Sequence, residues 1–339
     1  MKLTINNEFD PEWEIMGLLK MYFNPDEYSR EKYDSNFLEL GIRNNKVVEE
    51  AYSLGKLYSD AFSQKAIAPD EDSFFFTGHM ADGTSLHLLL GLVFEQNENW
   101  LNGLDAVSED EVFSSLSMVI FEHVPQSFSE IFDLLQEISM EPEQAWRMML
   151  VLKSPKEYLG RFFNLINNNK PAYLFAMSKI KDKIEPLLEQ FETSCAELIK
   201  SDSKFITPFT ANSEVTIIPT ILTGLVFSVK SAYIGLHFPE TYKLMNRFAD
   251  SEADLVPMLK ALSDSSKFEI LKFLRSGPKY SLELAKHLDI TPATASHHMN
   301  VLFSLGLVTV EKEKKKIYYT LNEKQLKKIT EGLISVFGV

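Results

Sequence analysis

Residues 281–308 read SLELAKHLDITPATASHHMNVLFSLGLV. Ser281 has the chemistry of an N-cap, and the apolar spacing behind it gives a helix of about two turns. Asp289-Ile290 then forms a short link. Thr291 is expected to cap a second helix, with Pro292 at its first position and Gly306 stopping it at C′. Two short helices joined by a tight turn are a helix-turn-helix signature. On the second helix Ala295, Met299, Leu302 and, less centrally, Leu305 fall on one stripe. Ala293, Ser296, His297, Asn300 and Ser304 point the other way, and His298 lies at the edge of the buried stripe. Adjacent helical histidines do not face one another, so His297 and His298 are a poor metal pair.

The flanks extend this pattern. DLVPMLKALSDSSKFEILKFL, from Asp254 to Leu274, holds two helical stretches. Leu255, Leu259 and Leu262 line up on the first, and Phe268, Leu271 and Leu274 on the second, with Asp264 or Ser263 as the cap between them. SGPK at 276–279 is a turn. After Gly306, LVTVEKEKKKIYYTL alternates as a β-hairpin whose turn holds Glu313, Lys314 and Lys315. EKQLKKITEGLISVF, from Glu323 to Phe337, is amphipathic through Leu326, Ile329, Leu333, Val336 and Phe337. Helices, a basic hairpin and a final amphipathic helix make a winged helix-turn-helix. A major-groove reader needs short polar side chains that reach base edges, and Thr291, Thr294, Ser296, His297 and Asn300 supply them. Lys312, Lys314, Lys315 and Lys316 of the hairpin suit phosphates. Ser281 opens a helix whose backbone N–H groups suit another phosphate.

LKALSDSSKFEILKFL, SLELAKHLDITPATASHHMNVLFSLGLV and VEKEKKKIYYTL together resemble the ArsR-type family of bacterial winged-helix repressors. The resemblance covers roughly the last 85 residues, a quarter of the chain. The family's usual arginine before the apolar run of its second helix is Lys267 here. Its metal-sensing cysteine pair is absent from SLELAKHL, as is the histidine-rich pattern of its last helix. The resemblance therefore implies a dimeric DNA-binding regulator, a repressor, but not a metal sensor; the two-fold symmetry of a dimer then calls for a palindromic operator, and no cofactor is expected.

The first 250 residues lie outside that resemblance. From Pro11 to about Lys200 the pattern is mostly helical. NKVVEEAYSLGKLYSDAFSQ sets Val47, Val48, Ala51, Leu54, Tyr58 and Phe62 at helical spacing. SPKEYLGRFFNLI starts with Ser154 as N-cap, and Leu188, Phe191, Cys195 and Leu198 share a face further on. Breaks fall at Asn24-Pro25, Ala68-Pro69, Gly83, Val124-Pro125 and Lys170-Pro171. KLTI near the start, EVTII at 214–218 and part of FSVKSAYIGLHF alternate as strands do. The expected fold class is mainly α (α+β): a large α-rich domain over 1–250, its small sheet tying beginning to end, then the winged helix-turn-helix over 251–339. The acidic segment FADSEAD, Phe248 to Asp254, marks the boundary.

Charge divides the chain the same way. Residues 253–339 hold 13 Lys and Arg against 9 Asp and Glu, while the whole chain carries −14. The remainder is therefore at −18. A basic face meets DNA and an acidic domain stays outside. One cysteine, Cys195, rules out an intramolecular disulfide framework and fits a reducing compartment. No run approaches a membrane span and the start has no apolar leader core, so the expected location is the cytoplasm. His79, Asp82 and His87 are the nearest thing to a metal cluster, with Gly83 breaking their helix. Walker, G-x-G-x-x-G, H-E-x-x-H and G-x-S-x-G motifs are absent, and no base–nucleophile constellation stands out. The expected partners are double-stranded DNA, a second copy of the chain, and a small-molecule or protein effector of the large domain. Two other readings stand beside this one: an adaptor using the winged helix for protein contacts, and an enzyme with a DNA-binding tail.

Overall fold

The computed structural model describes residues 2–39, 46–78, 85–97, 99–100, 103–121, 123–137, 142–201, 214–222, 225–227, 231–247, 252–290, 295, 298–299, 301–303, 305–313 and 316–338. The chain opens with β1 (Lys2–Ile5) and α1 (Pro11–Phe23). Asp10 caps α1, its Oδ1 accepting from the Trp13 N–H at 3.0 Å, and Pro11 follows at the first helical position. Helices α2 (Arg30–Glu39), α3 (Lys46–Ser63), α4 (Leu86–Gln96), α5 (Glu109–Phe121) and α6 (Phe128–Glu137) come next. They are followed by α7 (Pro142–Lys153), α8 (Pro155–Asn168) and α9 (Lys170–Ser201). The breaks expected at Asn24-Pro25, Ala68-Pro69 and Val124-Pro125 separate elements; Lys170-Pro171 instead opens α9, the break falling one residue earlier at Asn169, and Gly83 lies outside the described residues. α9 packs along α3 and places Phe191, Cys195 and Leu198 inward, as their spacing required. Burial pushes the Cys195 thiol up to about 12, so it packs as an apolar group.

A four-stranded sheet then closes this part of the chain. β2 (Glu214–Thr220) pairs in parallel with β1, Leu3 opposite Val215 and Ile5 opposite Ile217. β4 (Ser231–Gly235) lies parallel on its other side, and β3 (Leu225–Phe227) pairs antiparallel with β4. The first strand is thus bonded to one more than 200 residues later, as the alternation of KLTI and EVTII foretold. α10 (Phe238–Arg247) follows. The described residues are mostly helical, with small sheets.

Buried apolar residues fall into two clusters. The larger runs from Trp13 to Tyr242 and the smaller from Leu255 to Ile329. The gap between them contains the acidic segment at which the charge balance changes.

Candidate nucleic-acid interface

The smaller cluster begins with α11 (Glu252–Ser263) and α12 (Ser265–Leu274). Asp264 caps α12: its Oδ1 accepts from the Lys267 N–H at 2.9 Å, and its Oδ2 pairs with the Lys267 ammonium at 3.3 Å. Burial works against this carboxylate, but the Lys267 N–H, the Lys267 ammonium and nearby His298 together hold it below its ordinary value. The expected apolar faces need rotating. Leu259 is 36% exposed and Phe268 47%, while Met258, Ala261 and Ile270 are buried with Leu255, Leu271 and Leu274. α11 packs on both α12 and the last helix, and those two neighbours decide which side is covered. An i, i+4 line drawn through leucines passes over Met258 and Ala261.

α13 (Ser281–Leu288) is the first helix of the helix-turn-helix. Its N-cap is Tyr280, one residue before the expected Ser281, which is instead the first helical residue. The shift follows from Glu283, whose carboxylate reaches back to accept from the Tyr280 N–H at 3.0 Å. Asp289 ends the helix in the left-handed region at φ 52°, and the Ile290 N–H returns to the Ala285 carbonyl at 3.1 Å. The chain is helical again at Ala295, His298–Met299 and Val301–Phe303. Ala295, Met299 and Leu302 are fully buried and Leu305 nearly so, which is the stripe drawn from the sequence. His298 is half-buried, at the edge of that stripe. Gly306, at φ 67°, stops the helix in the expected place. The Leu307 N–H bonds the Leu302 carbonyl and the Gly306 N–H bonds the Phe303 carbonyl, both at 2.9 Å, a Schellman pair.

The hairpin follows directly. β6 (Val308–Glu313) and β7 (Lys316–Leu321) are antiparallel, from Val308 opposite Leu321 to Glu313 opposite Lys316. Glu313 is therefore the last rung of the ladder and not a turn residue; its backbone still has a partner across the sheet. A third strand, β5 (Lys279–Tyr280), pairs with β7 through Lys279–Tyr319 and Tyr280–Tyr318. Sequence reasoning missed β5, because two residues carry no readable alternation; the preceding SGPK turn was its only signal. Asn322 ties the hairpin base to the helix end, its Nδ2 donating to the Gly306 carbonyl at 2.7 Å. Asn322 also caps α14 (Glu323–Phe337), the segment expected to be the last helix. α14 crosses α11 so closely that a Cβ on Gly332 would sit 2.8 Å from Leu255.

Of the candidate DNA contacts, Ser281 opens α13, and Lys312 and Lys316 stand on facing strands of the hairpin. Thr291, Thr294, Ser296, His297, Asn300, Lys314 and Lys315 lie outside the described residues, as do His79 and Asp82 of the metal-like cluster. His87 is buried against Phe76 and bonded to the Ser85 hydroxyl at 2.9 Å. Among the described residues no three His, Cys, Asp or Glu side chains gather as a metal ion would need, and no helix is long and apolar enough to cross a membrane.

Comparison with known proteins meets this geometry. The family described as "Bacterial regulatory protein, arsR family" matches residues 264–310, from the cap of α12 into β6. An arsenical resistance operon repressor of Staphylococcus aureus is 40% identical over 83 residues, 24% of this chain and 80% of the relative. The chain belongs to the ArsR family. Two further members show the same limits of likeness. A cadmium resistance transcriptional regulatory protein CadC homolog of Staphylococcus aureus is 34% identical over 79 residues, 23% of this chain and 65% of the relative. The transcriptional repressor SdpR of Bacillus subtilis is 32% identical over 65 residues, 19% of this chain and 72% of the relative. As an ArsR-family protein the chain is a DNA-binding transcriptional regulator, and its first 250 residues lie outside the family match. α13 carries no cysteine, and the chain's one thiol is buried in α9.

Proposed function

We propose that residues 251–339 form a winged helix-turn-helix that represses transcription by binding a palindromic operator as a dimer, and that residues 1–250 are a separate, effector-responsive domain. The observation that carries this reading is the juxtaposition in the smaller cluster of α13, the helix ended by Gly306, and a basic hairpin. Residues 291–305 are the recognition helix, with Thr291, Thr294, Ser296, His297 and Asn300 directed to base edges and nearby phosphates. Residues 307–321 are the wing, with Lys312, Lys314, Lys315 and Lys316 directed to phosphate, and Ser281 offers a helix N-terminus to another. The division into two domains is supported by the two hydrophobic clusters and by the change of charge between them. The location that suits this function is the cytoplasm.

Dimerisation is supported by apolar side chains that the smaller cluster leaves in solvent. Val256 is 63% exposed on α11 and Phe337 71% on α14, with Leu259, Ile334 and Val336 beside them on the same two packed helices. Two-fold symmetry then demands half-sites about one DNA turn apart, or a multiple of it. The Phe337→Asp variant is expected to sediment as a monomer and to lose tenfold or more in operator affinity. A wild-type monomer that binds operator one to one would defeat the dimer.

The decisive experiment is titration of full-length protein with its own promoter DNA at two salt concentrations, beside a scrambled duplex. Tight binding to the promoter alone, weakening steeply with salt, is expected. Equal and weak binding to both duplexes would favour an adaptor whose winged helix contacts protein. Release of DNA by zinc or cadmium ions, reversed by chelator, would overturn the metal-free reading.

A further inference from the structure

The larger cluster buries a carboxyl that DNA binding does not use. Glu14 of α1 is 2% exposed. Its Oε1 accepts from the Ile221 N–H at 3.1 Å, the first amide beyond β2. Its Oε2 has no hydrogen-bond partner of proper geometry, and neither has the hydroxyl of Tyr58, which is fully buried on α3. Burial pushes the Glu14 carboxyl up to about 7, against the Thr220 and Tyr58 hydroxyls and the Ile221 N–H, which favour its charged form; Asp10 adds to the rise.

The groups around it reinforce this balance. Asp10 and Glu12 share α1 with Glu14, and Tyr58 and Tyr173 bear on it from α3 and α9. Lys170 is committed to Glu12 at 2.8 Å, and Asp10 Oδ2 accepts from the Tyr233 hydroxyl of β4 at 2.8 Å. Among the described residues Glu14 belongs to no ion pair. Next to Ile221, the side chain of Leu222 is seated between α1 and α3. A Cβ added at Gly17 would lie 3.5 Å from it, and one at Gly55 3.6 Å.

We propose that Glu14 is a proton-operated latch on the large domain: protonated, it holds the end of β2 and Leu222 against α1 and α3, and loss of the proton releases that segment. A neutral acid satisfies this site, because Oε1 accepts from Ile221 while the Oε2–H faces the Tyr58 and Thr220 hydroxyls. Among the described residues no cation pairs with a carboxylate there, and a buried unpaired charge is costly. The cheapest way to hydrate it is to move Ile221 and Leu222, which are half-buried, and not the helices, whose faces are in the core. The large domain then changes state near neutral pH, whatever the smaller domain binds.

Hydrogen exchange of full-length protein at pH 6 and pH 8, corrected for base catalysis, reads the latch directly. Peptides covering 214–222 are expected to lose at least fivefold in protection at pH 8 in the wild type. Glu14→Gln, which cannot ionise, should keep its protection at both pH values. Tyr58→Phe removes a hydroxyl that favours the ion, so the midpoint of the loss should move to higher pH. Equal wild-type protection at both pH values overturns the proposal, as does the same loss in Glu14→Gln. Should Glu14→Gln not fold, an unmoved midpoint in Tyr58→Phe overturns it alone.

Discussion

The two hydrophobic clusters handle polarity in opposite ways. Among the described residues of the smaller one, Gln325 is the sole buried polar side chain. The larger buries Glu14, Lys20, Asp72, His87 and Asn169 among aromatic and aliphatic residues. Most of these are satisfied: Lys20 donates to the Phe76 carbonyl at 2.9 Å, and the Arg161 guanidinium meets Asp72 at 2.6 Å. Glu14 is not. An apolar core under a polar helix is stable across pH and leaves its chemistry at the surface. A core holding ionisable groups is stable only conditionally, a property that suits the effector-responsive role proposed for residues 1–250.

The largest expected effect tests whether the clusters are independent. Leu302→Ala removes a fully buried side chain from the smaller one and should cost about 2–5 kcal/mol. Thermal unfolding should show one transition moved down and a second untouched, with operator binding lost. A single transition shifting as a whole would join the clusters into one cooperative unit.

Next comes the pH dependence of the larger cluster. Burial holds the Glu14 carboxyl at about 7 in the folded chain, above its ordinary value of 4.5, so the native state keeps a proton that the unfolded chain has already released. Stability from this group is therefore complete below about 4.5, falls as pH rises toward about 7, and is flat above. The loss amounts to about 3 kcal/mol. Denaturant melts of the wild type from pH 4.5 to 8 should show it, and Glu14→Gln should abolish the slope. A parallel slope in the variant would assign it to other groups.

Smaller effects sharpen the reading of the DNA-facing surface. Asn300→Ala should lower discrimination between operator and scrambled duplex by about 1–3 kcal/mol. Lys315→Ala should weaken both duplexes alike and reduce the salt slope by about one unit. Equal fractional losses on both duplexes from the two variants would collapse the distinction between recognition helix and wing. The smallest change is Asp264→Ala, which removes the cap of α12 and should cost about 1 kcal/mol in the transition assigned to the smaller cluster. An effect confined to the other transition would show that this cap belongs to a different cooperative unit.

What the sequence determined by itself was local. Gly306 stops a helix because glycine adopts positive φ without strain, and the inward line of Ala295, Met299 and Leu302 follows from helical periodicity. The hairpin and the bounds of α14 were legible for the same reason, as was the single packed thiol. Tertiary structure decided what depends on neighbours far along the chain. Leu259 and Phe268 fall in line with Leu255 and Leu271 at helical spacing, yet both stay exposed, while β5 exists only because β7 offers Lys279 and Tyr280 a partner. Glu14 is the sharpest case. In PEWEIMGLL it looks like one more acidic residue in a first helical turn, where solvent and the helix dipole would welcome its charge. Its burial is imposed by Tyr58 from α3 and by Ile221 at the end of a strand 200 residues on, and no local rule carries that information.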